Sequence, residues 1–281
     1  SFAGTKTFLH ESNTIPGRAN RFLSRFVDEA FIGFPEAAAR LKARKITTTG
    51  TPVRPQFLTP ENPAGLKSAA CRAALGLEPD RPTVLVVGGS QGASGLNEMI
   101  LSVLPLLAGK NWQWLHLTGT NDLEKVKSAY GAQGIAAVVK PFLMEMDLAL
   151  GAATACVSRS GASSLAEIAA LRLPSLLVPF PSAADNHQFF NASAFEKTGA
   201  AKLLKKSTPE QMADILTGLM MQDDLRAKMQ AALAQWHAPT AASRIAENIL
   251  QAIARRPEKA AARRHKHNCR CGAHGPAKVV R

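Results

Sequence analysis

The chain has 281 residues, a length sufficient for about two domains. Hydrophobic residues make up 46% of it and charged residues 20%, which excludes a chain that is disordered throughout. No apolar run approaches the roughly 20 residues needed to span a bilayer, and the first residues lack a signal-peptide pattern. Of four cysteines, Cys71 and Cys156 are isolated, so no disulfide framework is predicted. We expect a protein of a reducing cytoplasm, neither secreted nor integral to a membrane.

The net charge of +13 is distributed unevenly along the chain. Residues 255–281 contain nine Lys or Arg and one acidic residue, which gives this segment a charge of +8. The preceding 254 residues contain 25 basic and 20 acidic residues, a balance typical of an enzyme surface. We therefore expect a basic tail on an ordinary body, and no specific binding of nucleic acid.

Residues 1–80 contain few regular elements. Thr7-Phe8-Leu9 predicts a short strand, and a helix is predicted to begin at Pro16-Gly17. Prolines at positions 52, 55, 60 and 63 predict a linker or connecting loop. This section is too short for an α/β domain of its own, so we interpret it as the last part of such a domain whose beginning is missing.

From Pro82 to about Arg255, short apolar runs alternate with helical patterns. Thr83–Val87 is an apolar run that ends in Gly88-Gly89, as expected for a strand buried on both faces. Further strands are predicted at residues 112–117, 136–139, 155–158 and 176–180. Helices are predicted at residues 96–107, 122–130, 144–149, 163–171, 185–197, 209–221, 225–236 and 241–253. This alternation predicts a Rossmann-like domain with a parallel sheet covered on both sides.

The segment beyond Pro257 has no apolar period, and we expect it to be disordered. It contains a cluster that permits zinc binding, namely His265, His267, Cys269, Cys271 and His274. Because Cys-x-Cys differs from the usual Cys-x-x-Cys spacing, we favour a polyelectrolyte tail attracted to anionic lipid or nucleic acid, and we predict no metal site.

A glycine-rich junction, Gly88 to Ala93, lies where a buried strand is followed by a helix. Glycines there let backbone N–H groups approach an anion, and a helix amino terminus favours negative charge. Ser90 adds a hydroxyl donor. The alternative is a turn that merely permits tight packing, since the residues match neither G-x-G-x-x-G nor the phosphate loop ending in Lys-Ser/Thr.

A second junction, Arg159 to Ser164, follows the strand predicted at 155–158. Glu167 lies on the first turns of the next helix, where a carboxylate can accept both hydroxyls of a ribose. Ser164-x-x-Glu167 also fits a capping box, and from this pattern alone the capping box is the favoured interpretation.

A third junction runs from Pro179 through Asp185, His187 and Gln188 to Ala192. His187 and Gln188 offer neutral hydrogen-bonding groups for a sugar or base, while Asp185 fits an ordinary helix cap. All three junctions fall at carboxyl ends of predicted strands, where open α/β sheets bind ligands. Together they predict a binding site at one edge of the sheet.

These segments closely resemble the MurG family of peptidoglycan glycosyltransferases. In family order they are His10-Glu11-Ser12-Asn13 with Gly17 and Asn20, Gly50-Thr51-Pro52-Val53-Arg54, the three junctions above, and Glu167-Ile168-Ala169. The resemblance runs from about Lys6 to Ile253. It implies an α/β fold of the GT-B type, with two Rossmann-like domains facing across a cleft. Here the donor domain is expected to be complete and the acceptor domain only partial.

The resemblance implies that residues 61–255 bind UDP-N-acetylglucosamine (UDP-GlcNAc). Residues 1–60 would be the carboxyl-terminal remnant of the acceptor domain with its linker, and residues 256–281 the basic tail. The acceptor implied is the lipid-linked undecaprenyl-pyrophosphoryl-N-acetylmuramoyl-pentapeptide, lipid I. Transfer would invert the anomeric centre and give lipid II in cell-wall synthesis.

The resemblance also assigns residues to the donor. Ser90 would contact the diphosphate, Glu167 the ribose, and Arg54 would lie near the uridine. The backbone of Leu143 would read uracil, and Ala162 to Ala166 would line the same pocket. Gln188 would lie near the sugar.

On the acceptor side, Asn13 would reach the donor sugar. The glycine-rich loop and histidine expected near the family's amino terminus are absent, so the general base is unassigned. His10 is expected to pack at a strand end instead. With no Asp-x-Asp motif in the body and helix amides available for the leaving UDP, we expect no metal or other cofactor.

The family works at the inner face of the cytoplasmic membrane, so the resemblance implies a peripheral protein there, in contact with an anionic membrane surface. Arg18, Arg21 and Arg25 with Phe22 and Phe26 predict a basic, aromatic helix for that contact. A solvated helix face is the alternative, and for three arginines at this spacing it is the commoner one.

Two further functions stay open. The chain fits a UDP-sugar-binding module that needs a separate acceptor half for activity. It also fits a GT-B glycosyltransferase with a different glycolipid acceptor.

Overall fold

The structure, a computed structural model, describes residues 5–58, 68–89 and 93–254. Its framework is two parallel sheets. The smaller sheet has the strand order β1-β2-β3, with β1 (Phe8–Glu11), β2 (Glu29–Ile32) and β3 (Lys45–Thr48). Helix α1 (Arg18–Leu23) connects β1 to β2, and a 3₁₀ segment, Pro35–Arg40, connects β2 to β3.

The larger sheet has six parallel strands in the order β6-β5-β4-β7-β8-β9. In chain order they are β4 (Thr83–Val87), β5 (Gln113–Leu117), β6 (Ala137–Lys140), β7 (Ala155–Ser158), β8 (Ser175–Leu177) and β9 (Lys202–Leu203). The chain builds outward from β4 to one side and then returns to place β7 on the other side. The switch point between β4 and β7 is where open α/β sheets bind ligands.

Helices cover both faces of this sheet. They are α2 (Ser68–Ala74), α3 (Ser94–Leu107), α4 (Leu123–Ala132), α5 (Met146–Ala152), α6 (Ala162–Ala170), α7 (His187–Lys197), α8 (Pro209–Met221) and α9 (Asp223–Ala234). A further helix, α10 (Ala241–Ala254), follows them. Val84, Leu85 and Val86 of β4 are fully buried, as their unbroken apolar run predicts. The predicted strand–helix alternation is confirmed.

Some element ends differ from the prediction. Strand β8 ends at Leu177, whereas the apolar pattern extends to Phe180. Val178 still donates a hydrogen bond to the carbonyl of Ser158, 2.8 Å away, but Pro179 has no N–H to continue the ladder. Helix α1 starts as predicted but ends at Leu23, so Arg25 and Phe26 lie in the following turn. Strands β2, β3 and β9 and helix α2 carry no pattern that the sequence interpretation recognised.

The carboxyl-terminal helix α10 returns to the smaller sheet. Lys45 donates to the side-chain oxygen of Asn248 and Arg244 donates to the carbonyl of Thr48, each across 3.2 Å. Gly50 follows β3 with φ +83°, and a Cβ there would stand 2.3 Å from that of Ala238. A glycine is therefore required for this close approach.

An aromatic cluster connects the segment after β2 with α7 and the segment after α9. Phe34, just after β2, packs against Trp236 with ring centroids 5.2 Å apart, and Trp236 stacks on Phe195 at 4.4 Å.

The predicted domain boundaries after residues 60 and 255 fall at segments that are not described, and they stay predictions.

Within the described residues, no helix combines the length and apolar character needed to cross a membrane. Cys71 and Cys156 are buried free thiols. The predictions for the basic tail, including its histidines and cysteines, concern residues outside the described part of the chain.

Candidate functional site

The carboxyl ends of β4, β7 and β8 lie side by side. Val87 of β4 is paired with Ser158 of β7, and Ser158 is paired with Leu177 of β8. The strands are parallel, so the three junctions singled out in the sequence meet at one edge of the sheet, at its switch point.

The first junction needs both of its described glycines. Gly89 has φ +104°, a conformation that side chains rarely adopt. A Cβ on Gly88 would stand 2.4 Å from that of Ala93, just before α3. The backbone thus turns tightly into the helix. Ser90, the predicted diphosphate contact, lies outside the described residues together with Gln91 and Gly92.

At the second junction the capping-box interpretation of Glu167 is wrong. Helix α6 begins at Ala162 with Gly161 as its cap residue and has no side-chain cap. Ser164 is therefore already inside the helix, and Glu167 accepts a hydrogen bond from Nη2 of Arg54, 3.2 Å away. Burial raises the pKa of Glu167, and the neighbouring Arg54 opposes this shift.

A pocket of about 210 Å³ opens at this edge. Three of the predicted donor-site residues line it, namely Arg54, Leu143 and Glu167. The other lining residues are Val87, Gly89, Leu117, Pro141, Phe142, Met144, Met146 and Ser164. Ala162 is buried at the start of α6 but is not among the lining residues. Apolar walls with one ion pair at the rim suit a flat, partly polar group such as a nucleoside.

The loop after β1 is organised by Glu11. This carboxylate is buried and accepts four hydrogen bonds, from the backbone and side-chain nitrogens of Asn13, the backbone of Gly17 and the side chain of Asn20, at 2.8 to 3.1 Å. No Lys or Arg of the described residues forms an ion pair with it. Neutral donors therefore fix the loop that carries Asn13.

Asn191 of α7 joins this loop to the second junction. Its side-chain oxygen accepts from the backbone and hydroxyl of Thr14, both at 2.9 Å. Its amide nitrogen donates to the side-chain oxygen of Asn13 at 3.0 Å and to the carbonyl of Ser160 at 3.1 Å. Asn13 is thus held at the cleft by both Glu11 and Asn191.

At the third junction, Gln188 accepts a hydrogen bond from the backbone of Phe180 at 2.9 Å, and its carbonyl accepts one from the hydroxyl of Ser160 at 2.7 Å. The helix-cap interpretation of Asp185 is wrong. Helix α7 begins after Asn186 without a side-chain cap, and Asp185 pairs with Arg21 of α1 at 2.5 Å.

His10 has a structural role, as expected. Its Nε2 lies 3.2 Å from the carbonyl of Gly50, and its Nδ1 lies 3.3 Å from the hydroxyl of Ser12. The sequence interpretation quoted Glu11 and Asn191 in motifs but gave neither a task. In the sequence, Glu11 is a polar residue at a strand end and Asn191 is a polar residue inside a helix. Neither pattern indicates which residue the side chain will bind.

No group of three His, Cys, Asp or Glu side chains that could hold a metal ion occurs in the described ranges.

Comparison with known proteins identifies the same family as the sequence motifs. The sequence profile of the glycosyltransferase family 28 C-terminal domain matches residues 83–249. A UDP-N-acetylglucosamine–N-acetylmuramyl-(pentapeptide) pyrophosphoryl-undecaprenol N-acetylglucosamine transferase of Halalkalibacterium halodurans is 37% identical over 243 residues, 85% of this chain and 65% of the relative. The same enzyme of Listeria welshimeri is 37% identical over 249 residues, 87% of this chain and 67% of the relative. This chain thus spans about 65% of the length of such relatives.

Solved structures agree. The crystal structure of Acinetobacter baumannii MurG superposes with a TM-score of 0.72 at 28% identity, covering 89% of this chain and 68% of that one. A putative UDP-N-acetylglucosamine 2-epimerase from Listeria monocytogenes, 16% identical with a TM-score of 0.63 over 90% of this chain and 70% of that one, shares the fold. The fold is of the GT-B type, and the chain belongs to the MurG family of glycosyltransferases.

Proposed function

We propose that this chain binds UDP-GlcNAc and belongs to an inverting transferase that moves N-acetylglucosamine onto lipid I to form lipid II. The names of the relatives support the donor and the acceptor. The observation that carries the donor part is the pocket at the switch point, where Arg54, Leu143 and Glu167 lie together.

The size of the pocket supports a model in which it holds only the nucleoside part of the donor. Its volume of about 210 Å³ is below the roughly 300–1,000 Å³ typical of complete ligand sites, so it fits the nucleoside alone. The backbone of Leu143 would face uracil, and Arg54 and Glu167 would face the ribose. The diphosphate would then leave the pocket past Gly89 toward Ser90 and α3, whose backbone N–H groups would stabilise the departing UDP.

The sugar would lie between the two sheets. Asn13 on one side and Gln188 on the other are joined through Asn191 and Ser160, so their spacing is fixed before a ligand arrives. Asn13 keeps hydrogen-bonding capacity for a sugar hydroxyl, since an amide nitrogen has two donors and Glu11 takes one. The acceptor hydroxyl needs a general base, and we assign none among the described residues.

The same proposal places the protein peripherally at the cytoplasmic face of the inner membrane. Phe22 and Phe26 are 58% and 56% exposed, and their rings contact each other edge to face at 5.3 Å. Arg18 and Arg25 beside them are exposed, whereas Arg21 is paired with Asp185. Exposed aromatic side chains flanked by exposed arginines suit an anionic lipid surface.

Calorimetric titration with UDP-GlcNAc tests the donor proposal. We expect the chain to bind UDP-GlcNAc in preference to UDP-glucose, and Glu167→Gln to weaken binding about tenfold or more, because hydrogen bonds to a charged group contribute roughly 1.5–3 kcal/mol. Glu98→Gln is the matched control, since Glu98 is an exposed carboxylate paired with Lys125. A folded chain that binds neither nucleotide sugar would refute the proposal.

Transfer from labelled UDP-GlcNAc then separates the acceptors. Product from lipid I supports the proposed reaction, and product from diacylglycerol instead supports a different glycolipid acceptor. Donor binding without transfer to either supports a module that depends on a separate acceptor half.

A further inference from the structure

Arg159 is a buried positive charge with no anionic partner in the described part of the chain. It is the first residue after β7, and it is only 8% exposed. Nη1 of its guanidinium donates to the carbonyls of Val178 and Pro179, each at 3.0 Å. Its Nε is buried and has no hydrogen-bond partner within residues 5–58, 68–89 and 93–254. No carboxylate among the described residues forms an ion pair with it.

The guanidinium lies against the amino-terminal turn of α3. Nη2 of Arg159 is 3.6 Å from the position that a Cβ on Gly95 would occupy, and Gly95 is the second residue of α3. The backbone N–H of Arg159 also donates to the carbonyl of Val87 at 3.4 Å, directly before the glycine-rich junction. Arg159 is therefore fixed beside the point where β4 turns into α3.

This placement is electrostatically unfavourable in the unliganded protein. The amino end of a 14-residue helix carries a partial positive charge, and a guanidinium beside it adds another. Burial of a cation without a partner is costly, and burial lowers the pKa of Arg159. The ring of Phe180, 5.5 Å from the guanidinium carbon, offsets part of the cost. An anion bound beside both the guanidinium of Arg159 and the amino end of α3 would remove the conflict.

We propose that Arg159 and the amino-terminal turn of α3 together bind the diphosphate of the nucleotide donor. The inference rests on the proposed function, and it adds a charged side chain to a site for which the sequence offered only Ser90 and backbone amides. Gly89 lines the nucleoside pocket, and Val87, two residues before it, accepts the hydrogen bond from the backbone of Arg159. A nucleotide in that pocket would therefore extend its phosphates toward Arg159.

The role follows from the charge that develops during transfer. When the bond between C1 of the sugar and the β-phosphate oxygen breaks, its electron pair stays on that oxygen. The acceptor oxygen forms the new bond to C1 and gives up its proton to a base. UDP thus leaves with one more negative charge, and a guanidinium held in a buried position stabilises it without reorganising.

A purely structural role for Arg159 is the competing interpretation, since it holds the carbonyls of Val178 and Pro179 in place. Calorimetric titration of the chain with UDP and with uridine distinguishes the two roles. Arg159→Gln should weaken UDP binding about 10- to 100-fold and leave uridine binding unchanged, because only UDP carries phosphates. Arg159→Lys should lose less, because it keeps the charge but not the planar fork.

Arg81→Gln is the matched control. Arg81 also has a buried Nε with no hydrogen-bond partner among the residues that the structure describes, but it precedes β4 at the opposite edge of the sheet and pairs with Glu78. This variant should bind both ligands as the unmodified chain does. Equal weakening of UDP and uridine by Arg159→Gln, or no weakening of UDP, would overturn the inference alone. If the unmodified chain binds neither ligand, the proposed function fails and the inference with it.

Discussion

Asn191 shows how much of the site depends on single buried amides. It is fully buried, and each of its two polar atoms forms two hydrogen bonds. Its partners are Thr14 and Asn13 in the loop after β1 and Ser160 in the second junction. One side chain therefore sets the distance between the acceptor-side loop and the donor-side edge.

Replacement of Asn191 by Ala leaves the Thr14 donors, the Asn13 oxygen and the Ser160 carbonyl without this partner. Each unsatisfied buried group costs roughly 1–3 kcal/mol, part of which relaxation recovers, so we expect a loss of about 2–4 kcal/mol in the free energy of unfolding. Urea denaturation measures it. Asn248→Ala removes a half-buried amide whose hydrogen bond with Lys45 is exposed, and it should cost less than about 0.5 kcal/mol. Similar losses for the two variants would contradict the role given to Asn191.

At the scale of elements, α1 differs from the other described helices in having no buried residue. Its six residues gain little from packing, and Phe22, Leu23 and the following Phe26 face solvent. Arg21, in contrast, pairs with Asp185 and so joins α1 to the start of α7. The exposed side of α1 is thus available to a surface, while its other side is tied to the cleft.

The quadruple variant Arg18→Glu, Phe22→Ser, Arg25→Glu and Phe26→Ser tests lipid contact by α1. A basic residue near an anionic surface contributes about 1 kcal/mol, so we expect this variant to weaken binding to phosphatidylglycerol vesicles about tenfold or more in a co-sedimentation assay. Lys125→Glu with Lys127→Glu on α4 makes the same change in net charge and should have a small effect. Equal weakening by both variants would mean that overall charge, including that of the basic tail, explains the binding.

At the scale of the whole molecule, a buried histidine links stability to pH. His116 of β5 is completely buried between the hydroxyl of Tyr130, 3.1 Å from Nδ1, and the oxygen of Asn97, 3.0 Å from Nε2. The Asn97 amide nitrogen donates to Thr118 and Asp122, so its oxygen is an acceptor. The imidazole therefore donates from Nε2 and is neutral, and burial lowers its pKa to about 3.

A lowered histidine pKa makes the folded state less stable in acid. Below its ordinary pKa of 6.5 the unfolded chain binds a proton that the folded chain refuses, so this group lowers the free energy of unfolding by about 1.4 kcal/mol per pH unit between about pH 6.5 and 3. His237 acts in the same direction, since burial and Arg172 lower its pKa. Urea denaturation at several pH values measures the slope. His116→Gln should reduce this slope by the contribution of one proton, and an unchanged slope would refute this account.

Much of the larger sheet could be predicted because its signal is local. The run Thr83–Val87 is apolar enough to form a strand wherever it lies, and α8 has Thr208 as its cap and Pro209 at its first position. Strand β9 has only two residues and β3 has exposed ends, so neither has a clear sequence pattern of its own. They are strands because they pair with neighbouring strands. The capping box at Ser164 was wrong because the helix starts two residues earlier, at Ala162.

The sequence by itself determined the alternation of strands and helices from β4 to β8, the glycines that must turn β4 into α3, and the set of motifs that marks the family. These features depend on residues close to one another in the chain, so local physics is enough to predict them. The pairing of Arg54 with Glu167 spans 113 positions and that of Asn13 with Asn191 spans 178. Only the tertiary structure decided these two pairings and the buried position of Arg159, because each depends on which strand ends the parallel sheet places side by side.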